Sequence, residues 1–278
     1  MTLVHFLGTP WARWEEMVSW AELIAIGAIG RTSYDTDIIK QGAVPFSEWS
    51  SRALDAAADD ERSILAEISV AERNGSISRT EAIQLTMEVF SAGVLTTAGL
   101  ISNCILALTQ RNDLADQLRS DFALIPGFIE EVLRLESPVQ GVFRLAMRDC
   151  EVGGFPISEG SRVFVLFGAA NRDSHAWTGA DDFDMRRPGS PAHLAFGRGV
   201  HTCPGSSLSR TETRIALETI LAHTTSMDLA VGVHEVEYLP NPIFRIPLQL
   251  PLEVLRPRHS IRVREPFASF PQGKNAGQ

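Results

Sequence analysis

Cys203 is set in the loop Phe196-Gly197-Arg198-Gly199-Val200-His201-Thr202-Cys203-Pro204-Gly205. The run from Leu208 to Leu221 reads as a helix. Pro204 suits a first helical position, where its missing donor costs nothing. The positive end of a helix and amides aimed at sulfur both favour thiolate over thiol. A thiolate presented in this way can act as the proximal ligand of a haem iron, pushing electron density onto bound oxygen. A buried structural cysteine beside a turn is the competing reading.

Upstream, Glu131-Val132-Leu133-Arg134 lies in a helical pattern that Pro126 can open and Pro138 closes. Glutamate and arginine three apart share a helix face, so they can pair with each other and with a third group. Ser137-Pro138-Val139, Arg144, Asp149, Gly153-Gly154 and Asn171-Arg172-Asp173 follow in order. Phe183-Asp184, Arg187 and His193-Leu194-Ala195-Phe196 lead into the cysteine loop. That loop fits F-x-x-G-x-H-x-C-x-G at every defined position. With this order and spacing, the chain resembles the cytochrome P450 superfamily of the bacterial soluble type, from about residue 78 to about residue 250.

The resemblance implies haem b (iron protoporphyrin IX) with Cys203 as the axial iron ligand, in a loop shaped by Phe196, Gly197 and Gly205. It places Arg144 and His201 on the haem propionates, and a guanidinium fork or charged imidazole suits a carboxylate. It also makes Glu131, Arg134 and Arg187 one structural lock beneath the haem.

Ser78 with Glu81 three residues on reads as a capping box. It opens a helix running roughly from 79 to 108, apolar nearly all round, as expected of a helix buried on several sides. Within it, Ala92-Gly93-Val94-Leu95-Thr96-Thr97 resembles the family's oxygen-binding kink, which puts Ala92 and Gly93 beside the cofactor and makes the Thr96 hydroxyl catalytic. Leu95 stands where the family carries an acid. Leucine can neither hold nor relay a proton, and general-acid help is typically worth roughly 10²–10⁴-fold. A helix threonine bonded back to its own carbonyl ladder is the other reading of Thr96.

The expected fold is mainly α with small β-sheets, with strands at 142–147, 151–157, 161–167 and around 244–250. Phe6-Leu7-Gly8-Thr9-Pro10 resembles the segment ahead of the family's substrate-covering helices, and Trp11–Ile29 and Pro45–Arg73 match those helices loosely. The N-terminal sheet layer and early helices of the family have no counterpart in the 278 residues. On this reading 1–255 form a shortened haem domain, either a remnant, a repurposed scaffold or a domain whose open haem face self-association covers, and 256–278 form a loosely packed tail.

A net charge of −9 argues against nucleic acid, whose phosphates need clustered Lys and Arg. Leu23–Ile29 is too short to span a bilayer, so no membrane partner is expected and the location expected is cytoplasmic. Three cysteines give no disulfide framework, and Cys104 and Cys150 read as a helix-core and a strand-turn residue. No histidine pair shows metal-ligand spacing, and neither a dinucleotide-binding glycine pattern nor a nucleophile elbow occurs.

What the resemblance implies is a monooxygenase of a small organic, natural-product-type substrate, supplied by a ferredoxin-type electron donor. Arg198, Arg210 and Arg214 are candidate docking charges for that donor. The second reading, from a different class, is a redox-silent homologue that binds a ligand, scaffolds a partner or catalyses a non-oxidative rearrangement.

Overall fold

Two apolar clusters form the core, and one long helix belongs to both. The structure is a computed structural model and describes residues 14–27, 36–57, 63–187 and 192–256. Helices α1 (Trp14–Gly27), α2 (Thr36–Ala56) and α3 (Ile64–Arg73) precede the long α4 (Arg79–Thr109). Then come α5 (Asn112–Ser120), α6 (Ile125–Leu135) and strands β1 (Gly141–Leu145), β2 (Cys150–Val152), β3 (Phe155–Ile157) and β4 (Arg162–Leu166). A short α7 (Phe167–Ala170), α8 (Ser206–His223), β5 (Ser226–Leu229) and β6 (Leu252–Leu255) complete the order.

The capping box fixes where α4 begins. Ser78 Oγ accepts from the Glu81 amide, and the Glu81 carboxylate accepts from the Ser78 amide at 2.7 Å. Ala82 and Phe90 then join a cluster with Met17, Phe46, Trp49 and Leu54. Further on, Leu100, Cys104, Ala107 and Leu108 join another with Phe128, Val132, Leu217 and Met227. By length and composition α4 could cross a membrane, but it packs on α1, α2, α3, α5, α6 and α8. Its all-round apolarity is therefore matched by neighbours on several sides. Between the clusters, Ala92 is exposed and Gly93 to Thr96 are half-buried. Arg79 ties the first helices together, reaching Glu72 of α3 at 2.9 Å, and Asp55 and the Ser51 carbonyl of α2 at 2.7 Å each.

The β structure is three antiparallel two-stranded sheets: β1–β4, β2–β3 and β5–β6. Gly153 and Gly154, both at positive φ, turn β2 into β3, so the run 151–157 is a hairpin and not one strand. The strand expected around 244–250 is absent from the described residues. That stretch makes only isolated bridges, Val139 to Phe244 and Tyr238 to Pro247, because Pro242, Pro247 and Pro251 interrupt any ladder. The pairing strand lies later, at β6. Pro45 does not open a helix but sits inside α2, which begins at Thr36, and a separate α3 follows. Pro204 falls two residues ahead of α8, whose N-cap is Gly205. Phe6 to Pro10, the start of the run from Trp11, and the tail beyond Arg256 lie outside the described residues.

Candidate active site

The cysteine loop is closed by its own main chain. Cys203 N–H donates to the Phe196 carbonyl at 2.8 Å, and Gly197 N–H donates to Leu194 at 2.8 Å. Gly197 and Gly199 hold φ of +67° and +76°, values that a side chain tolerates poorly. Asn171 is buried and anchors the loop from outside, its Oδ1 accepting from the Leu194 amide at 2.7 Å. Cys203 is half-buried, and Val200 beside it is 97% exposed.

Glu131, Arg134 and Arg187 meet beneath this region. Arg134 is 1% exposed and uses all five N–H donors. Nε and Nη2 grip Glu131 at 2.8 and 2.7 Å, Nη1 reaches the Asn171 and Ala180 carbonyls, and Nη2 also reaches that of Asp182. Glu131 accepts in addition from Arg187 Nε at 3.2 Å and from the Asp184 amide at 2.9 Å. Burial alone would raise the Glu131 pKa, but these donors win and hold it below the usual carboxylate range.

A second network, which the sequence did not single out, adjoins the loop. Glu130 receives both arms of Arg210 at 2.6 and 2.9 Å and lies 3.1 Å from His193 Nε2. The Arg210 guanidinium stands 4.5 Å from the Phe196 ring centroid. Desolvation would raise the Glu130 pKa, yet hydrogen bonds from His193 and Arg210 pull it to about 2. A cavity of about 190 Å³ lies between the two networks, lined by Glu130, Glu131, Arg134, Trp177 and Arg210 among others. Its charged lining does not suit an apolar ligand. The signals in the sequence were two: Glu130 adjoins Glu131, and Arg210 lies seven residues beyond Cys203.

Thr96, Ala92 and Gly93 lie together on the less-covered middle of α4. The Thr96 hydroxyl donates to the Ala92 carbonyl at 2.6 Å, and the helix runs through this segment unbroken. Leu95 is half-buried beside it. Arg144 is exposed on β1 between exposed Phe143 and Leu145, and its one bond among the described residues goes to the Phe143 carbonyl. His201 is exposed and Gly205 half-buried. Of the candidate docking charges, Arg210 is committed to Glu130 and Arg214 to Glu218 at 2.7 Å, while Arg198 is exposed.

The cytochrome P450 family model matches residues 2–226. The chain belongs to the cytochrome P450 family. A biotin biosynthesis cytochrome P450 of Bacillus subtilis is 40% identical over 168 residues, covering 60% of this chain and 41% of that one. Cytochrome P450 107B1 of Saccharopolyspora erythraea is 31% identical over 259 residues, covering 89% and 60%. A solved mutant of P450 EryK in complex with erythromycin B superposes with a TM-score of 0.85 at 29% identity, covering 93% and 68%. The chain thus spans about half the length of the curated relatives it matches.

P450 proteins carry haem, and the donor set of this chain fits such a group. A half-buried thiol sits in a glycine-closed loop, and two exposed basic side chains, Arg144 and His201, have no carboxylate partner among the described residues. Phe143, Leu145, Val165 and Leu166 present apolar surface on β1 and β4. These are the chemistries that an iron, two propionates and an apolar macrocycle require.

Proposed function

We propose that this P450 is a haem–thiolate monooxygenase acting on a small organic molecule of natural-product type, with Cys203 as the axial ligand of haem b. The observation that carries the reading is the cysteine loop, closed by the Cys203–Phe196 bond and two left-handed glycines. The names of similar proteins add weight, since one is a biosynthetic P450 and another holds erythromycin B.

In this reading Arg144 and His201 would hold the propionates, and the Glu131–Arg134–Arg187 lock sets the floor. The bound haem would supply reductive oxygen activation, in which two electrons and two protons leave one oxygen atom on substrate and the other in water. A ferredoxin-type donor would provide the electrons, in the cytoplasm, with Arg198 the free docking charge of the three considered. For a proton to pass through Thr96, its hydroxyl must let go of the Ala92 carbonyl.

One observation favours the redox-silent alternative: Leu95 occupies the acid position while Thr96 is turned back onto its own helix. The deciding experiment is the absorption spectrum of reduced protein under carbon monoxide. A band at about 450 nm, lost in Cys203→Ala, is expected for thiolate ligation. Protein that takes up no haem would overturn the reading.

A further inference from the structure

We propose that Glu130 is a positioning residue for Cys203, acting through Arg210 and Phe196. The proposal rests on Cys203 being the haem ligand.

Glu130 and Glu131 are neighbours on α6, yet they face different tasks. Glu131 turns to Arg134 and Arg187, whereas Glu130 turns to the cysteine loop and α8. Its two oxygens take the Arg210 fork, and such a bidentate pair fixes direction as well as distance. Arg210 in turn covers the Phe196 ring, and the Phe196 carbonyl receives the Cys203 amide. The path from carboxylate to cysteine backbone therefore runs through one ion pair, one ring contact and one hydrogen bond.

A branch from the same carboxylate reaches the loop entrance. His193 Nδ1 accepts from the Ala195 amide at 3.2 Å, which leaves Nε2 as the protonated nitrogen that donates to Glu130. One side chain thus holds the loop where it begins, at His193, and where it leaves into α8, at Arg210. Electrostatics add to geometry. Arg210 and the Cys203 sulfur lie within each other's field, and Glu130 balances the guanidinium charge. Without Glu130, an uncompensated cation would draw on the sulfur and weaken its donation to iron.

The test uses haem-loaded protein carrying Glu130→Gln or Arg210→Lys, with Arg214→Gln as a control on the same helix. Reduced protein under carbon monoxide is scanned, and helix content is followed by circular dichroism. Both variants should keep their helix content, while the long-wavelength band is largely lost in favour of a shorter-wavelength band. Arg214→Gln should match the wild type. If Glu130→Gln does not fold, Arg210→Lys decides alone. Unchanged spectra in the folded variants would overturn the proposal, as would an equal shift in Arg214→Gln, which would mean that α8 had simply loosened. A wild-type protein lacking the long-wavelength band, or a Cys203→Ala variant keeping it, would instead overturn the ligand assignment itself.

Discussion

Thr97 Oγ1 donates to Ser209 Oγ across 3.2 Å, so the central helix α4 and the helix leaving the cysteine loop share a buried polar contact. One turn along α8, the hydroxyl of fully buried Thr213 has no partner among the described residues. The two threonines should respond oppositely to the same substitution. Thr97→Val should cost about 1 kcal/mol in urea denaturation, because Ser209 loses its partner. Thr213→Val should be neutral or stabilising, since it removes a hydroxyl already paying for burial. Equal losses at both sites would contradict this account.

Arg134→Ala should be far more damaging. It leaves Glu131 buried beside one remaining guanidinium and strands the Asn171 and Ala180 carbonyls, and breaking such a pair from one side costs roughly 3–5 kcal/mol. Insoluble protein or a steeply lowered melting temperature is expected. Arg134→Lys should recover little, because an ammonium cannot reproduce the planar fork. A melting temperature within a degree or so of wild type would refute the lock as a source of stability.

Acid should test Glu130. Its folded pKa is depressed to about 2 from an ordinary 4.5, so its stabilisation is complete above the ordinary value and fades as pH falls towards the folded one. Glu130→Gln has no such titration. The stability gap between wild type and variant should be constant near neutrality and shrink from about pH 5 downwards. Denaturant midpoints at a series of pH values give the answer, and a gap that widens in acid would reverse the sign argued here.

If the proposed monooxygenase reading holds, proton delivery is its expected weak step. Leu95→Asp or Leu95→Glu should raise the share of electrons that reach product, and Thr96→Ala should lower it, within the roughly 10²–10⁴-fold range of general-acid help. NADPH consumption and peroxide release with surrogate redox partners report this ratio without the natural substrate. If no substitution moves it while haem stays bound, Leu95 and Thr96 lie off any proton path.

Helix positions were the easiest part to read. Ser78 and Glu81 mark the start of α4 to the residue, because a capping box is local chemistry. The Glu131–Arg134 contact was equally readable, as both lie on one helix face. Glu130–Arg210 spans 80 residues of sequence, and no spacing rule joins them. The run 244–250 misled for a similar reason: its residues favour strands, but its amides and carbonyls are taken up by neighbours such as Pro138 and Glu237. Gly127 offered no signal either, though a Cβ there would collide with the Met185 carbonyl, a contact made only when the chain returns.

Arg134 and Arg187 grip the stretch from Thr178 to Asp182 entirely through main-chain oxygens, at Thr178, Gly179, Ala180 and Asp182. Every amino acid supplies a carbonyl, so the clamp is blind to the side chains it holds. Apart from Gly179, whose φ is +58°, and Ala180, which is buried, this coil should accept broad replacement while keeping its path. Tolerance to mutation in the coil and intolerance at two arginines beyond it, one of them 48 residues from Asp182, are then two faces of one design: the loop's shape is encoded outside the loop.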